Sequence, residues 1–421
     1  MMGRVWGTVR LGDYCSKIGS GSTPRGGEAI YQESGVAFIR SQNVYNGYFA
    51  TDGLAYLDDE HADQLKGVTV EPGDVLLNIT GDSVARSCRV PGEVLPARVS
   101  QHVAIIRPTP EEFDSRFVGY FFLTPFMQDT MLSLAGGGGT RKALTKEMIE
   151  RFEVPRPPRP IQQRIADILS AYDDLIENNR RRIALLENAA GQLYREWFVR
   201  LRFPGCEHTR VSDGVPEGWE RTSVGGLVEG GVLELQTGPF GTQLHAADYV
   251  DEGTPLINVR NIGYGTLRAE KLEFVGERVV ERLAQHILRA GDIVFGRKGA
   301  VDRHLLVLPA QDGWMQGSDC IRLRFLGDRV TPVFLSLGFR EEKHKGWILA
   351  QCSNKATMAS LNQEVIARVP LLVPNRMLLQ EFNNVAGRML AQVGALQSQA
   401  EKAAAARDLL LPRLMSGDLA V

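Results

Sequence analysis

The segment that decides the fold is PRPPRPIQQRIADILSAYDDLIENNRRRIALLENAAGQLYREWFVR, residues 155–200. Four prolines stand among its first six residues, and a proline disfavours helical backbone in the residue before it, so this part is extended. No proline follows until Pro204, which leaves room for one long helix. At 1.5 Å per residue, a helix of about 38 residues is roughly 55 Å long.

The apolar residues of this segment recur at steps of four and three, which is the spacing of a coiled-coil seam. They are Ile161, Ile165, Ile168, Tyr172, Leu175, Ile183, Leu186, Ala190, Leu193 and Trp197. Asn179 falls on the same seam, where a polar residue costs stability and usually sets register or partner geometry. A single helix cannot bury such a stripe, so the sequence predicts a partner helix.

A stretch near the end of the chain has the same spacing and is the predicted partner. Its seam residues are Phe382, Val385, Met389, Val393, Leu396, Ala400, Ala403, Arg407, Leu410 and Leu414. Pairing inside one chain is the simplest solution, and a coiled coil between two chains is the alternative. If the two helices pair antiparallel, the domains at their N-terminal ends are held apart about an approximate two-fold axis. Two similar domains in opposed directions suit a bipartite linear target.

The whole chain repeats itself, which explains why two such helices occur. Gly73-Asp74-Val75 returns 218 residues later as Gly291-Asp292-Ile293, and Ser100 aligns with Ser318 at the same offset. Gln163 aligns with Gln380 at an offset of 217, so one residue is lost between the two stretches. A repeat of this length is a duplicated domain and not a solenoid unit.

Each copy comprises a globular part followed by a long helix. The globular part mixes short apolar alternations with Gly, Pro and Asn turns, which is typical of strands, and the segment from Phe117 to Leu132 predicts a helix packed on them. We therefore expect an α+β chain, with two duplicated α/β domains separated by a pair of long antiparallel coiled-coil helices in pseudo-two-fold symmetry. The predicted boundaries are 1–155 for the first domain, 156–203 for the first long helix, 204–372 for the linker and second domain, and 373–421 for the second long helix.

Composition excludes several classes of protein. The chain has 421 residues, of which 43% are hydrophobic and 23% charged, enough for two or three ordinary domains. Its 48 basic and 50 acidic residues give a net charge of −2, so any contact with nucleic acid must come from local patches. The five cysteines form no Cys-x-x-Cys pair, which favours reduced thiols in the cytoplasm. No segment approaches the roughly 20 apolar residues of a membrane-spanning helix.

No catalytic motif survives inspection. Gly19-Ser20-Gly21-Ser22-Thr23-Pro24 begins like a dinucleotide-binding loop, but Pro24 stands where the third glycine belongs. The loop 136–142 lacks the Gly-Lys-Ser/Thr order that cradles phosphates, and the seven histidines lack the spacing of metal ligands. The Asn/Asp-Pro-Pro-aromatic segment of amino-group methyltransferases is absent as well. We expect a chain without catalytic activity, cofactor or metal.

Loops at equivalent places in the two copies combine glycine with amide, hydroxyl and basic side chains. Arg and Lys can bond guanine, Asn and Gln can bond adenine in pairs, and glycine lets backbone approach phosphate closely. The candidate DNA-binding residues are Ser22, Thr23, Arg40, Gln42, Asn43, Tyr45, Arg86, Thr140, Arg141, Lys142, Arg260, Asn261, Tyr264, Arg297, Lys298, Arg303 and Lys355. The alternative is that such polar loops are simply solvated, and this alternative is favoured for the run Arg180-Arg181-Arg182 on the long helix.

Taken together, these features resemble the specificity subunit of a Type I restriction-modification system, and the resemblance covers the whole chain. The segments that carry it are Arg10-Leu11-Gly12-Asp13, Ile18-Gly19-Ser20-Gly21-Ser22-Thr23-Pro24, Pro216-Glu217-Gly218-Trp219, the run 160–169 and Leu175-Ile176. The second copy departs from the family pattern at Leu378-Leu379-Gln380-Glu381-Phe382. Gly238-Pro239-Phe240-Gly241 also replaces the first copy's Gly-Ser-Thr-Pro loop, which suggests a different half-site.

The resemblance implies a division of labour between subunits. Each of two target recognition domains reads part of a split, asymmetric double-stranded DNA sequence, and the chain has no activity of its own. The helices bind two modification subunits, which carry S-adenosylmethionine and methylate adenine N6, and restriction subunits can join. The predicted partner-binding residues are Ile165, Ile168, Tyr172, Leu175, Leu186, Leu193, Phe382, Met389 and Leu396. The alternatives are a coiled-coil adaptor and a self-contained DNA methyltransferase of unrecognised type.

Overall fold

The computed structural model describes residues 6–136, 142–239, 243–352 and 360–421. The chain forms two compact units: unit 1 is Met1–Glu177 with Glu401–Val421, and unit 2 is Asn178–Ala400. Each unit contains a globular part and one end of each long helix. Within the described ranges, no helix is both long enough and apolar enough to cross a membrane.

Unit 1 is built on two four-stranded sheets. Its strands are β1 Thr8–Arg10, β2 Cys15–Ser20, β3 Val36–Ile39, β4 Val44–Tyr45, β5 Tyr48–Phe49, β6 Ala55–Leu57, β7 Thr69–Val70, β8 Val75–Asn78, β9 Ser87–Arg89, β10 Ala97–Val99, β11 Val103–Pro108 and β12 Glu153–Pro155. Its helices are α1 Asp59–Gln64, α2 Ser115–Phe122, α3 Pro125–Gly136, α4 Lys146–Glu150 and the first long helix, α5 Arg159–Tyr194, which continues into unit 2. The strand orders are β6-β3-β10-β7 and β2-β11-β8-β9.

Unit 2 has a four-stranded and a five-stranded sheet. Its strands are β13 Val211–Ser212, β14 Val215–Pro216, β15 Glu220–Ser223, β16 Leu233–Thr237, β17 Tyr249–Val250, β18 Thr254–Ile257, β19 Tyr264–Gly265, β20 Glu273–Val275, β21 Ile293–Gly296, β22 His304–Leu306, β23 Met315–Gln316, β24 Cys320–Phe325 and β25 Pro370–Val373. Its helices are α6 Val224–Glu229, α7 Glu277–Arg282, α8 Pro332–Phe339, α9 Glu342–Cys352, α10 Gln363–Ala367 and the second long helix, α11 Arg376–Ser416, which ends in unit 1. The strand orders are β17-β20-β18-β23 and β16-β24-β21-β22-β19.

The two units share one topology, so the duplication read from the sequence is confirmed. Strand β11 lies between β2 and β8 in unit 1, and β24 lies between β16 and β21 in unit 2. Both units have a parallel pair at the same place, β3 with β10 and β18 with β23, and unit 2 has a second one, β19 with β22. The mixed sheets and long helices confirm the α+β class.

The strand registers correct the position of the lost residue. Val75 pairs with Arg89, and Ile293 pairs with Leu306, so the offset falls from 218 to 217 in the loop between these strands. The counterpart of Ser100 is therefore not Ser318, as aligned, but residue 317. Residues 100 and 317 both donate their backbone N–H to a β-strand carbonyl, of residues 39 and 257, at 2.9 Å.

The repeated Gly-Asp pair forms the same buried ion pair in each unit. The Asp74 carboxylate accepts hydrogen bonds from the Arg107 guanidinium at 2.7 and 2.8 Å. Asp292 accepts the equivalent bonds from Arg324 at 3.0 and 2.6 Å. Hydrogen bonding to the buried carboxylate raises the pKa of both arginines. Each aspartate therefore connects its turn to an arginine on a neighbouring strand, β11 in unit 1 and β24 in unit 2, which explains why the Gly-Asp pair occurs in both copies.

The long helices pair as the seam spacing predicts. In unit 2, Asn179 Nδ2 donates to Gln399 Oε1 at 3.2 Å, and the rings of Tyr194 and Phe382 lie 6.0 Å apart. From the first pair to the second, the residue number on α5 rises from 179 to 194 while that on α11 falls from 399 to 382. The two helices are therefore antiparallel within unit 2. In unit 1, Ile165 belongs to the same buried cluster as residues from the end of α11.

Three details of the predicted helices are corrected. The expected helix from Phe117 to Leu132 is two helices, α2 and α3, because Pro125 restricts the residue before it and begins a new helix. Val385 is 43% exposed, and Ala386 takes its place on the buried seam. The first long helix, predicted over 156–203, is α-helical only over Arg159–Tyr194, and its last turn, Arg195–Val199, is π-helical.

Candidate nucleic-acid interface

Loops that are far apart in the sequence meet at one end of a sheet in unit 1. The backbone N–H of Gly81, after β8, donates to the Lys142 carbonyl at 3.1 Å. The loop after β3 lies against the same place, and together they form an open cleft. The cleft is lined by Ser41, Gln42, Tyr45, Thr80, Gly81, Asp82, Ser83, Arg86 and His102. The structure thus brings together the loops that the sequence singled out in the first copy.

Two asparagines that were expected to bind DNA instead build the loops. Asn43 is completely buried; its Oδ1 accepts the Arg40 backbone N–H at 3.0 Å, and its Nδ2 donates to the Ala50 carbonyl at 2.9 Å. Asn261 is buried in the same way, with Oδ1 on the Asn258 N–H at 3.1 Å. Because their polar groups are used inside the fold, neither can reach a ligand, and their assignment as DNA-binding residues is corrected.

A glycine permits the tight turn at the rim of the cleft. Gly81 has φ +73°, in the left-handed region, and a Cβ there would meet no atom within 4 Å. Its counterpart, Gly299, has φ +76°. The turn therefore needs glycine for its backbone angle and not for lack of space. It leaves backbone exposed at the place where a phosphate could approach.

A cation–π pair is part of the lining of the unit 1 cleft. The Arg86 guanidinium lies over the Tyr45 ring, 4.8 Å from its centroid, and Tyr45 is 41% exposed. The Tyr48 ring lies 6.3 Å from that of Tyr45. Such stacking orients the guanidinium and leaves its N–H groups to bond a further partner.

The same pair recurs in unit 2. The Arg303 guanidinium lies 5.3 Å from the centroid of the Tyr264 ring, and Lys345 Nζ lies at the same distance. The Tyr264 hydroxyl donates to Asp302 Oδ2 at 2.9 Å. Tyr264 is 42% exposed, nearly the same as Tyr45 in unit 1.

The register shows which parts of the pair are equivalent. Val44 pairs with Phe49, and Ile262 pairs with Leu267, so Tyr264 corresponds to residue 46 and not to residue 45. Arg86 and Arg303, in contrast, precede equivalent strands by one residue. The arginine is therefore kept in place, while its aromatic partner has moved by one residue along the turn.

Ion pairs divide the predicted basic residues into two groups. Arg40 pairs with Glu28, Arg260 with Glu273, and Lys298 with Asp319. The second group has no ion pair with any residue that the structure describes. It comprises Arg86, Lys142, Arg297 and Arg303. Because their charge is not neutralised by the protein, these four are the cations best able to meet a phosphate.

The remaining predicted residues fall into two sets. Ser22 and Thr23 are exposed after β2, outside the lining of the unit 1 cleft. The residues that lie outside the described ranges are Thr140, Arg141, Phe240, Gly241 and Lys355.

Sequence reasoning missed two residues of the cleft, Thr80 and His102. Thr80 Oγ1 and His102 Nδ1 are hydrogen-bonded at 2.7 Å. Their proximity follows from the pairing of Asn78 with Val103, which a single sequence does not reveal. No cluster of three His, Cys, Asp or Glu side chains suited to a metal occurs in the part of the chain that the structure describes.

Burial removes three residues from the set that was predicted to bind partner subunits. Ile165 and Phe382 are completely buried, and Leu396 is 5% exposed, so these three are used inside the chain. The others are half-buried: Ile168, Tyr172, Leu175, Leu186, Leu193 and Met389.

Comparison with known proteins places this geometry in a family. Residues 4–188 match the model of the Type I restriction modification DNA specificity domain. The Type I restriction enzyme MjaIX specificity subunit of Methanocaldococcus jannaschii is 23% identical over 313 residues, which cover 73% of this chain and 69% of that protein. The MjaVIII specificity subunit of the same organism is 24% identical over 69% of this chain and 63% of its own length.

A solved structure has the same fold over the full length. The Type-I restriction-modification system S subunit from M. genitalium superposes with a TM-score of 0.64, covering 98% of this chain and 97% of its own, at 13% identity. The shared fold agrees with the duplicated architecture. Residues 4–188 therefore belong to the family of Type I restriction modification DNA specificity domains, and over most of its length the chain is similar in sequence to specificity subunits of such systems.

Proposed function

We propose that each unit of this chain reads one half of a bipartite, asymmetric DNA target, and that the chain itself catalyses no reaction. The observation that carries the proposal is the repeated arginine–tyrosine pair. Arg86 and Arg303 occupy equivalent places in two copies of one domain, each over an exposed tyrosine. A guanidinium held in this way can bond a phosphate or the edge of guanine.

The charge of the chain fits a local mode of contact. A net charge of −2 gives no general attraction to DNA, so the unpaired cations of the loops must supply it. Binding that depends on a few such contacts falls with salt, with a slope set by the number of phosphates neutralised. Sequence preference then has to come from the other side chains of the same loops.

The long helices are the proposed docking surface for two modification subunits. The half-buried seam residues leave apolar surface on the helices, and Leu185 and Leu409 are 68% and 73% exposed. Leu185 lies on α5 and Leu409 on α11, and a partner protein could cover such apolar side chains on each helix. The modification subunits would carry S-adenosylmethionine and methylate adenine N6 in the cytoplasm, and restriction subunits would join the same complex.

Selection from a random duplex pool, followed by sequencing of the bound DNA, tests the reading function. We expect Arg86→Ala to weaken preference or affinity in one half-site and Arg303→Ala in the other, because each arginine belongs to a different unit. A single lost charge-assisted contact should reduce affinity by roughly ten-fold. Arg202→Ala is the control, since that side chain is 72% exposed, pairs with Glu196 and is absent from the lining of the unit 1 cleft.

Two results would end the proposal. The first is binding of random duplex as tight as binding of the selected sequence at moderate salt, because phosphate contacts alone give no discrimination. The second is transfer of a methyl group from labelled S-adenosylmethionine to DNA by the purified chain alone, which would revive the reading as a self-contained methyltransferase.

A further inference from the structure

Two neighbouring positions in each unit are placed alike by the backbone but carry different side chains. In unit 1 they are Thr80, after β8, and His102, before β11. In unit 2 they are Lys298, after β21, and Asp319, before β24. All four lie at the end of the sheet where the loops of their own unit meet.

Hydrogen bonds fix the equivalence of these positions. The backbone N–H of Ile79 donates to the His102 carbonyl at 3.0 Å, and the N–H of Arg297 donates to the Asp319 carbonyl at 2.8 Å. Ile79 directly precedes Thr80, just as Arg297 directly precedes Lys298. The strands that carry them are paired and buried, so the positions are held rigidly.

The unit 1 pair is a hydroxyl joined to an imidazole. Thr80 Oγ1 and His102 Nδ1 lie 2.7 Å apart, which holds the ring, and His102 is exposed beside the cleft. A hydroxyl and a neutral imidazole can each donate or accept a hydrogen bond. The pair therefore offers a mixed pattern of donors and acceptors without a fixed charge.

The unit 2 pair is an ammonium joined to a carboxylate. Lys298 Nζ lies 3.2 Å from Asp319 Oδ1, and the two side chains are 57% and 45% exposed. An ammonium only donates, and a carboxylate only accepts. In a groove of DNA, lysine meets the O6 and N7 acceptors of guanine, and a carboxylate meets the N4 donor of cytosine.

We propose that these two positions determine which base pairs each unit prefers: Thr80 with His102 in unit 1, and Lys298 with Asp319 in unit 2. The inference rests on the proposed function and adds the residues that make the two half-sites differ. The arginine–tyrosine pair is common to both units, so it positions the DNA, whereas the pair beside it has diverged. Positioning contacts carry no sequence information, and base contacts carry it.

The test exchanges the two pairs in the full chain. One double variant is Thr80→Lys with His102→Asp, and the reciprocal variant is Lys298→Thr with Asp319→His. Each is used to select DNA from a random duplex pool, and the preferred sequence is compared with that of the unaltered chain. Because all four side chains are at least partly exposed, both variants should fold, and circular dichroism checks this.

We expect each exchange to alter base preference in one half-site only, by about ten-fold or more at one position or several. The other half-site and the number of base pairs between the two half-sites should stay as they were. The control is Asp63→His with Lys66→Thr, which replaces an exposed ion pair of 2.9 Å at the end of α1, outside the lining of the cleft, and should leave both half-sites unchanged.

The opposing outcomes separate this inference from the proposed function. If both double variants select the original sequence, or lose affinity for all sequences without a change of preference, the four residues do not specify bases and the inference is wrong. If the unaltered chain selects no sequence at all, the proposed function fails, and the inference falls with it.

Discussion

His304 shows how one residue can make a unit sensitive to acid. It is completely buried on β22, between the rings of Phe295 and Phe339, and its Nε2 is hydrogen-bonded to Ser336 Oγ at 2.9 Å. Burial, together with the charge of Arg340, lowers the pKa of His304 to about 3. The folded chain therefore holds this imidazole neutral at any pH at which the protein would be handled.

We expect unit 2 to lose stability as the pH falls below about 6.5, where the unfolded chain takes up a proton at His304 that the folded chain refuses. The loss should approach about 1.4 kcal/mol per pH unit for this group and end near its folded pKa. Urea unfolding at pH 7.0, 6.0 and 5.0 measures it. His304→Gln should have a shallower pH dependence, and an unchanged slope would show that the imidazole is accessible when folded.

Asp74 provides a second test at the scale of the residue. Its side chain is fully buried, and it pairs with Arg107, which is 19% exposed. Asp74→Ala leaves that arginine with the more exposed Glu71, so we expect a loss of about 2–4 kcal/mol in the free energy of unfolding. Asp63→Ala breaks a pair whose side chains are more than 60% exposed and should cost less than about 0.5 kcal/mol. Equal losses in urea unfolding would contradict the distinction.

At the scale of the element, the polar residue Asn179 on the seam of the long helices lowers the stability of the helix pair and favours one register of pairing. Asn179 is 1% exposed on the seam, and its Oδ1 has no hydrogen-bond partner among the described residues. We expect Asn179→Leu to raise the free energy of unfolding by about 1 kcal/mol, since a buried acceptor is removed and apolar surface is added. Thermal unfolding followed by circular dichroism measures the change. A marked destabilisation would mean that the bond to Gln399 outweighs the unpaired oxygen.

The helices and the duplication could be predicted from the sequence because each depends on spacing along the chain. A seam such as Ile165 to Leu193 repeats over many residues, and its signal accumulates. The role of Asn43 could not be predicted, because its partner, the Ala50 carbonyl, is set by how the loop closes. The pairing of Thr80 with His102 was likewise hidden, since it depends on which strands are neighbours and in which register.

At the scale of the whole molecule, the duplication separates what supports the fold from what can change. The buried Asp–Arg pair and the loop-building asparagine are retained in both units, at matching positions and with matching bonds. The exposed pair at the loop end of each sheet differs: it is a hydroxyl with an imidazole in unit 1 and an ion pair in unit 2. Under the proposed function, a change in one exposed pair would alter one half of the target while the other half and the scaffold stay as they are.

We also propose that the two long helices set the gap, which is the number of base pairs between the two half-sites, and this proposal is tested at the scale of the whole molecule. Inserting one heptad into both α5 and α11 preserves the seam and adds roughly 10 Å to each helix. Because DNA rises about 3.4 Å per base pair, the preferred gap should lengthen by about three base pairs, while both half-sites stay the same. Selection from a random duplex pool reads the gap directly. An insertion of equal length in only one helix disrupts the pairing and serves as the control. If the doubly lengthened chain selects the original gap, the helices do not determine the distance between the half-sites. That distance must then be set by the DNA or by the partner subunits.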